Sequence, residues 1–307
     1  MKYGFSIKRK CYLLSVLLMT VWLTGCVQEE LGSTPSPTGN GIRFTLTVPD
    51  VNLPSVSSRT MTGTGTAKKE DEIETVDILV FDMSKTPAVF LEWVSATGVT
   101  QDLADNSTVS FSAVLSPTTA STCIVVVANK ELDNIVSGFT KGATTKVEAM
   151  EKMLHTQTGK WLADGSTTDG YTRIPMYGEK VISKITPSMD PITGINMKRM
   201  LARIDIRNNS ATSNFTVEEV YLANYNTTGY IAPAWNTNGQ VTDPVPDTPV
   251  LPAGSGKMTE EGDAILYSVN GNTPYDGEIY TFESLAAGDA GGVGQDGEAS
   301  RKNATCL

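Results

Sequence analysis

Histidine occurs once in the 307 residues, at His155, and the four cysteines stand far apart at Cys11, Cys26, Cys123 and Cys306. With no HExxH or CxxC spacing, a zinc site has almost no ligands to draw on. Asp164-Gly-Ser-Thr-Thr-Asp169 has the outline of a calcium loop but lacks the closing glutamate and the remaining acidic spacing, so it reads as a turn. There is no G-x-S-x-G context to activate a serine and no Walker A or Rossmann glycine pattern, which leaves a hydrolase or nucleotide-using enzyme without machinery. Acidic pairs are numerous, yet nothing sets two of them across a cleft. No cofactor, metal or catalytic residue is therefore expected. Charged residues make up only 19% of the chain, and 24 Lys plus Arg face 34 Asp plus Glu for a net charge of -10. A polyanion would be repelled, which excludes a nucleic-acid role.

What is present is a chain 40% apolar, enough for a core in one large domain or two ordinary ones. Its 27 glycines and 15 prolines, set among abundant Ser, Thr and Asn, suit an exported all-β protein. Lys2, Lys8, Arg9 and Lys10 precede an apolar run from Cys11 to Leu23, the order of a secretory signal and too short for a comfortable membrane span. The run ends in Leu23-Thr24-Gly25-Cys26, which resembles the bacterial lipobox, with residues 1–25 as the signal and Cys26 as the acylated new N-terminus. The plainer alternative is an ordinary cleavage site with Cys26 incidental. Loss of residues 1–25 removes four positive and no negative charges, so the mature chain carries -14 and must be held at a membrane by acyl chains. Residues 26–41 form a Gly/Ser/Thr/Pro tether. Glu29 and Glu30 within it resemble the acidic surface-export signal of Bacteroidetes lipoproteins, and the expected route is through the outer membrane to the cell surface.

In the body, Ile42, Phe44, Leu46 and Val48 alternate with polar residues, the period of a half-buried strand. Pro49 and Pro54 stop it, and Ser55 to Lys69, with Arg59 in its midst, has no apolar period and reads as an accessible loop. Glu72 to Asp82 and Cys123 to Val127 become continuously apolar, as central strands do, and Phe90 to Val94 and Ser107 to Leu115 are shorter strands. Val147 to Leu154 carries Met150, Met153 and Leu154 at helical spacing, which places His155 at an exposed helix end. Ile174-Pro-Met-Tyr-Gly-Glu179 reads as a turn. The basic residues Lys198, Arg199, Arg203 and Arg207 read as the solvent face of a strand, with a ligand patch as the alternative. Cys123 reads as a buried small hydrophobe, and a bridge to Cys306 requires adjacent strands. Trp161, Tyr171, Tyr177, Tyr221, Tyr225, Tyr230 and Trp235 could compose a carbohydrate platform, against which stands the usual packing role of strand aromatics. A second domain is expected over residues 209–307 after a first over 42–208. Arg301 to Leu307 reads as the entry to a further strand, so this second domain is expected to be incomplete.

Taken in order, the lipobox at Cys26, the alternation from Ile42 to Val48, Arg59, the strand ending Ile78-Leu-Val-Phe-Asp82, the Ile174 to Glu179 segment and Met200-Leu-Ala-Arg-Ile-Asp-Ile206 resemble the Bacteroidales fimbrillin family, the major and minor subunits of type V pili. The resemblance covers roughly residues 1–230. It implies two transthyretin-like β-sandwich domains and a lipoprotein precursor. An arginine-specific protease would remove residues up to Arg59, cutting before Thr60 and taking the strand Ile42, Phe44, Leu46 and Val48 with them. A strand from another fimbrial subunit would then fill the slot by β-strand addition. Arg43 lies inside the paired strand and is not expected to be cut. In the family the donor strands lie at the extreme C-terminus, and none is visible in this sequence, so the 307-residue product is expected to accept a strand without donating one. Two other roles stay open from the residues: a lipid-anchored minor or anchor subunit, and a carbohydrate-binding surface lipoprotein.

Overall fold

The computed structural model describes residues 42–47, 71–101, 108–157, 159–161, 172–204, 219–223, 225–242, 250–253, 264–268 and 279–284. All of them belong to the compact unit Gly39–Leu307. The described elements are strands apart from two short helices, the single turn Asp133–Val136 (α1) and Lys146–Lys152 (α2).

Two sheets dominate. The four-stranded sheet has the order β4-β5-β1-β9, where β1 is Ile42–Thr47, β4 Thr97–Gln101, β5 Thr108–Ala113 and β9 Ile192–Asn196. The five-stranded sheet runs β10-β8-β6-β2-β3, with β2 Val76–Asp82, β3 Val89–Ser95, β6 Thr122–Ala128, β8 Met176–Ile182 and β10 Lys198–Arg199. They face each other as an all-β sandwich around Phe44, Leu46, Ile78, Val80, Val109, Phe111, Ile124, Val126 and Met176.

The continuous apolar runs now have a cause. Alternate residues of a strand point to opposite faces, and β2 and β6 are covered on both. Ile78, Val80, Ile124 and Val126 face the four-stranded sheet, while Leu79, Phe81, Cys123, Val125 and Val127 pack into a second core with Ala149 and Met150 of α2, Trp161, Ile231 and Phe282. A strand buried on two sides has no polar face to show. Helix α2 is fixed at its start by a capping box, in which the Thr145 hydroxyl accepts from the Glu148 amide and the Glu148 carboxylate accepts from the Thr145 amide at 2.8 Å. Behind this core lie three two-stranded ribbons: β7 (Leu154–Thr156) with β13 (Thr228–Tyr230), β11 (Leu201–Ile204) with β15 (Ile279–Phe282), and β12 (Glu219–Leu222) with β14 (Ile265–Ser268).

Candidate functional site: the slot of the first strand

β1 is an internal strand. On one side it pairs antiparallel with β5 in an unbroken register from Ile42↔Ala113 to Thr47↔Thr108. On the other it pairs parallel with β9, at Phe44↔Ile192, Leu46↔Ile195 and Thr47↔Asn196, with a register shift between Phe44 and Leu46. The Met197 amide closes this side with a 2.9 Å bond to the Thr47 carbonyl. Ile42, Phe44 and Leu46 point inward and are buried, and the Phe44 ring stacks on Phe111 with centroids 5.0 Å apart and planes 7° from parallel. Arg43, Thr45 and Thr47 take the outer positions, where the neighbours across the ladder are Ser112, Ser110 and Thr108.

Taking β1 away would open a slot walled by β5 and β9 and floored by the five-stranded sheet. It would strip cover from Val109, Phe111, Ala113, Ile192 and Ile195 and leave two rows of backbone groups unpaired. Each large aliphatic or aromatic side chain removed from water contributes on the order of 1.5 to 3 kcal/mol, so Ile42, Phe44 and Leu46 together supply roughly 5 to 9 kcal/mol. That is comparable with the whole stability of an ordinary domain. Of the residues expected to matter, Ile42, Phe44 and Leu46 meet in this slot. Cys26, Val48, Arg59 and Thr60 lie outside the described residues.

The other candidates resolve differently. Trp161, Tyr177 and Tyr225 are buried and pack the interior, Tyr221 is exposed on β12, and Tyr230 and Trp235 are half-buried with ring centroids 4.9 Å apart; Tyr171 lies outside the described residues. His155 is not at an exposed helix end. It sits in β7 opposite Gly229, half-buried against Trp161 at 5.0 Å and Phe282 at 6.4 Å between ring centroids. Burial, aided by the nearby Lys130 charge, lowers its pKa to about 4. Cys123 is a free, buried thiol pushed up to about 11 by burial, and Cys306 lies outside the described residues. Among the basic residues, Arg199 donates to the Asp71 carboxylate. The segment expected to be a turn at Ile174 to Glu179 instead enters β8.

A buried polar group on β8 escaped the sequence reading. Lys146, with its side chain only 1% exposed, places its ammonium 2.6 Å from Glu179, whose same oxygen accepts from the Tyr177 hydroxyl at 2.5 Å. The other Glu179 oxygen accepts from the Val241 amide at 3.3 Å. Burial first, then the Glu179 charge, holds the Tyr177 phenol well above its usual range. This knot ties helix α2 to β8 and to the loop around Gly239, which packs on the Lys146 stem. A lysine between Thr145 and Val147 carries no sequence mark that it points inward.

The family model for the major fimbrial subunit protein (FimA) matches residues 42–193, a span that begins on β1 and ends on β9, the two strands that lie parallel in the slot. Across that span the chain belongs to the fimbrillin family. A fimbrillin is a structural subunit of surface fimbriae, and its family is not one of enzymes. Among solved structures the chain is similar to a fimbrial assembly protein from Parabacteroides distasonis, with 12% identity and a TM-score of 0.44 over 81% of this chain and 78% of that one. It is also similar to a candidate cell adhesion protein from the same organism, with 16% identity and a TM-score of 0.46 over 82% of this chain and 73% of that one. No curated protein matches the chain significantly.

Proposed function

We propose that this fimbrillin is exported as a lipoprotein acylated at Cys26 and carries β1 as a removable placeholder. An arginine-specific protease cuts between Arg59 and Thr60, and a strand from another fimbrial subunit then replaces β1 in the slot. The observation that carries this reading is the character of β1 itself. It is internal to its sheet, it is buried on one face only, and its inward set of Ile42, Phe44 and Leu46 is a pattern that any alternating apolar strand can supply. Arg59 is the only arginine between Thr47 and Asp71, in the stretch that joins β1 to the rest of the fold. The division of the body near residue 208 into a first domain holding the slot and a second domain belongs to the same reading.

Cutting the loop does not empty the slot, because the burial of β1 persists after its covalent link is gone. Exchange therefore proceeds by displacement, the incoming strand taking over backbone pairs as β1 yields them. This keeps the apolar walls covered throughout the exchange.

The test is processing and filament entry in cells. Arg59→Ala should remain at precursor length and stay out of filaments, and Arg43→Ala should still be processed. Normal cutting and polymerisation of Arg59→Ala would remove Arg59 from the mechanism. Mass spectrometry of the Arg59→Ala protein, which keeps precursor length, should find an acylated Cys26 at its N-terminus, and an unmodified terminus between residues 15 and 30 would overturn that part.

A further inference from the structure

The slot axis joins two ends of the sandwich that differ in charge. β2, β6 and β8 are in register, with Val76↔Ala128↔Met176 at one end and Asp82↔Thr122↔Ile182 at the other, six residue steps or about 20 Å apart at strand rise. Beyond Ile182, the β8–β9 connection borders an open hollow of about 410 Å³ lined by Lys180, Lys184, Ser183, Thr186, Ser188 and Asp190 among others. Lys180 donates to the Thr193 carbonyl, and among the described residues neither lysine has a carboxylate partner. The other charges at this end are Lys85 and Asp82, the latter occupied by the Ser84 amide.

At the opposite end a hollow of about 210 Å³ is lined by Glu74, Asp77, Glu131 and Asp133 and by no cation. Asp77 is occupied internally by the Ser95 hydroxyl and the Leu132 amide, and Glu74 is paired with Arg173 at 2.6 Å. Glu131 and Asp133 are exposed and make no ion pair among the described residues. The flanking charges are Asp71, Glu72, Lys130, Arg173 and Arg199, of which Asp71 is paired with Arg199 and Glu72 with Arg173.

We propose that these ends dock on each other between copies: the Lys180 and Lys184 hollow of one subunit receives the Glu131 and Asp133 rim of the next, stacking copies head to tail along the slot axis. A heterologous contact of this kind propagates without closing, as a filament requires. The inference rests on the strand-exchange reading and adds to it what sets the polarity of the stack. β1 enters the sheet at the lysine end, where Phe44 lies opposite Ile192, and leaves it at the acidic end beyond Thr47. A neighbour docked by its charges is therefore placed over one mouth of the slot. Two subunits without residues 1–59 carry -13 each and repel at long range, but salt screens that repulsion over about 8 Å at physiological ionic strength. At contact the local charges decide orientation, with like ends rejected and unlike ends held.

The experiment uses the full mature protein, cut at Arg59, in three forms: wild type, Lys184→Glu, and Glu131→Lys/Asp133→Lys. Lys184 is exposed and makes no hydrogen bond among the described residues, so its reversal leaves folding intact. Each variant should self-associate roughly tenfold more weakly than wild type at low salt in sedimentation, and the gap should close in high salt. Mixing the two variants should restore part of the association, because their altered ends are complementary. Carbodiimide coupling of isotopically mixed wild type should join Lys180 or Lys184 to Glu131 or Asp133 between differently labelled copies. If Lys184→Glu self-associates as wild type does, or if no such coupling between copies is found, the docking is overturned while strand exchange stands. Wild type that does not self-associate at low salt overturns the docking, and failure of an Ile42 to Val48 peptide to enter the slot overturns strand exchange.

Discussion

β1 and the β2–β6 pair are all internal strands, yet their side chains carry different information. β2 and β6 face two cores at once, so every position is committed: Val80 and Ile124 to the sandwich, Phe81, Cys123 and Val125 to the layer beneath α2. β1 commits only Ile42, Phe44 and Leu46 and turns Arg43, Thr45 and Thr47 outward. A strand that answers to two cores can be replaced only by one matching both sets of shapes. A strand that answers to one core can be replaced by any sequence with the right period, because backbone pairing with β5 and β9 is indifferent to side chains. Exchangeability is thus a consequence of half-burial.

The comparison breaks most severely at β6. Val125→Asp would place a carboxylate in the second core, where α2, Met150 and Trp161 exclude water. An unpaired buried charge exceeds what an ordinary domain can absorb, so the variant should not accumulate as folded protein, with or without added peptide. Phe44→Ala removes the ring that stacks on Phe111 and should cost roughly 3 to 5 kcal/mol in urea unfolding. Here the two regions part. A synthetic peptide of Ile42 to Val48 added in trans to Phe44→Ala protein cut at Arg59 should recover most of that loss, because the defect lies in the replaceable strand. Failure of the peptide to stabilise would show that the slot does not exchange its occupant.

A smaller effect sharpens the role of the second core. Glu179→Ala leaves the Lys146 ammonium buried without its partner and releases the Tyr177 hydroxyl and the Val241 amide. Breaking one side of such a pair costs roughly 3 kcal/mol or more, whereas Lys146→Met with Glu179→Gln, which removes both charges and keeps the bulk, should recover much of it. Neither variant should alter peptide uptake by the slot, since the knot lies on the far face of the five-stranded sheet. Slower peptide binding by Glu179→Ala would mean that the two cores are coupled.

Much of this contrast was legible in the residues. The alternation from Ile42 to Thr47 and the unbroken apolar runs through Ile78 and Val125 distinguish one buried face from two, because the period of a strand is fixed by its geometry. What remained hidden depends on partners distant in sequence. Nothing in Ile192–Asn196 says that it lies parallel to β1. The Ile174 to Glu179 segment looks like a turn because Pro175 and Gly178 are turn residues. In the fold Gly178 is a close approach, where an added Cβ would stand 2.7 Å from Met197 Sδ and 2.8 Å from Ile195 Cγ2. The glycine lets β8 lie against β9, a requirement invisible without the second strand. His155 reads as a helix end for a related reason: α2 ends at Lys152, and the chain turns immediately into β7 to meet Gly229.

The smallest expected effect tests that relocation through pH. In the folded protein burial holds His155 near a pKa of about 4, against 6.5 for an unperturbed histidine. Above 6.5 both folded and unfolded chains carry it neutral, and it contributes no pH dependence. As pH falls below 6.5 the unfolded chain takes up a proton that the folded chain refuses, so stability declines until the folded pKa near 4 is passed. His155→Phe keeps a ring against Trp161 and Phe282 and removes the titration, and it forfeits no hydrogen bond at Nδ1, which has no partner among the described residues. Glu283, raised by burial, titrates in the opposite sense but is common to both proteins and cancels in their difference. Urea midpoints for wild type and His155→Phe should therefore run parallel from pH 8 to 6.5 and separate below it in favour of the variant. Parallel curves down to pH 4.5 would return His155 to an exposed position, and with it would go the packing of β7 and Phe282 over the second core.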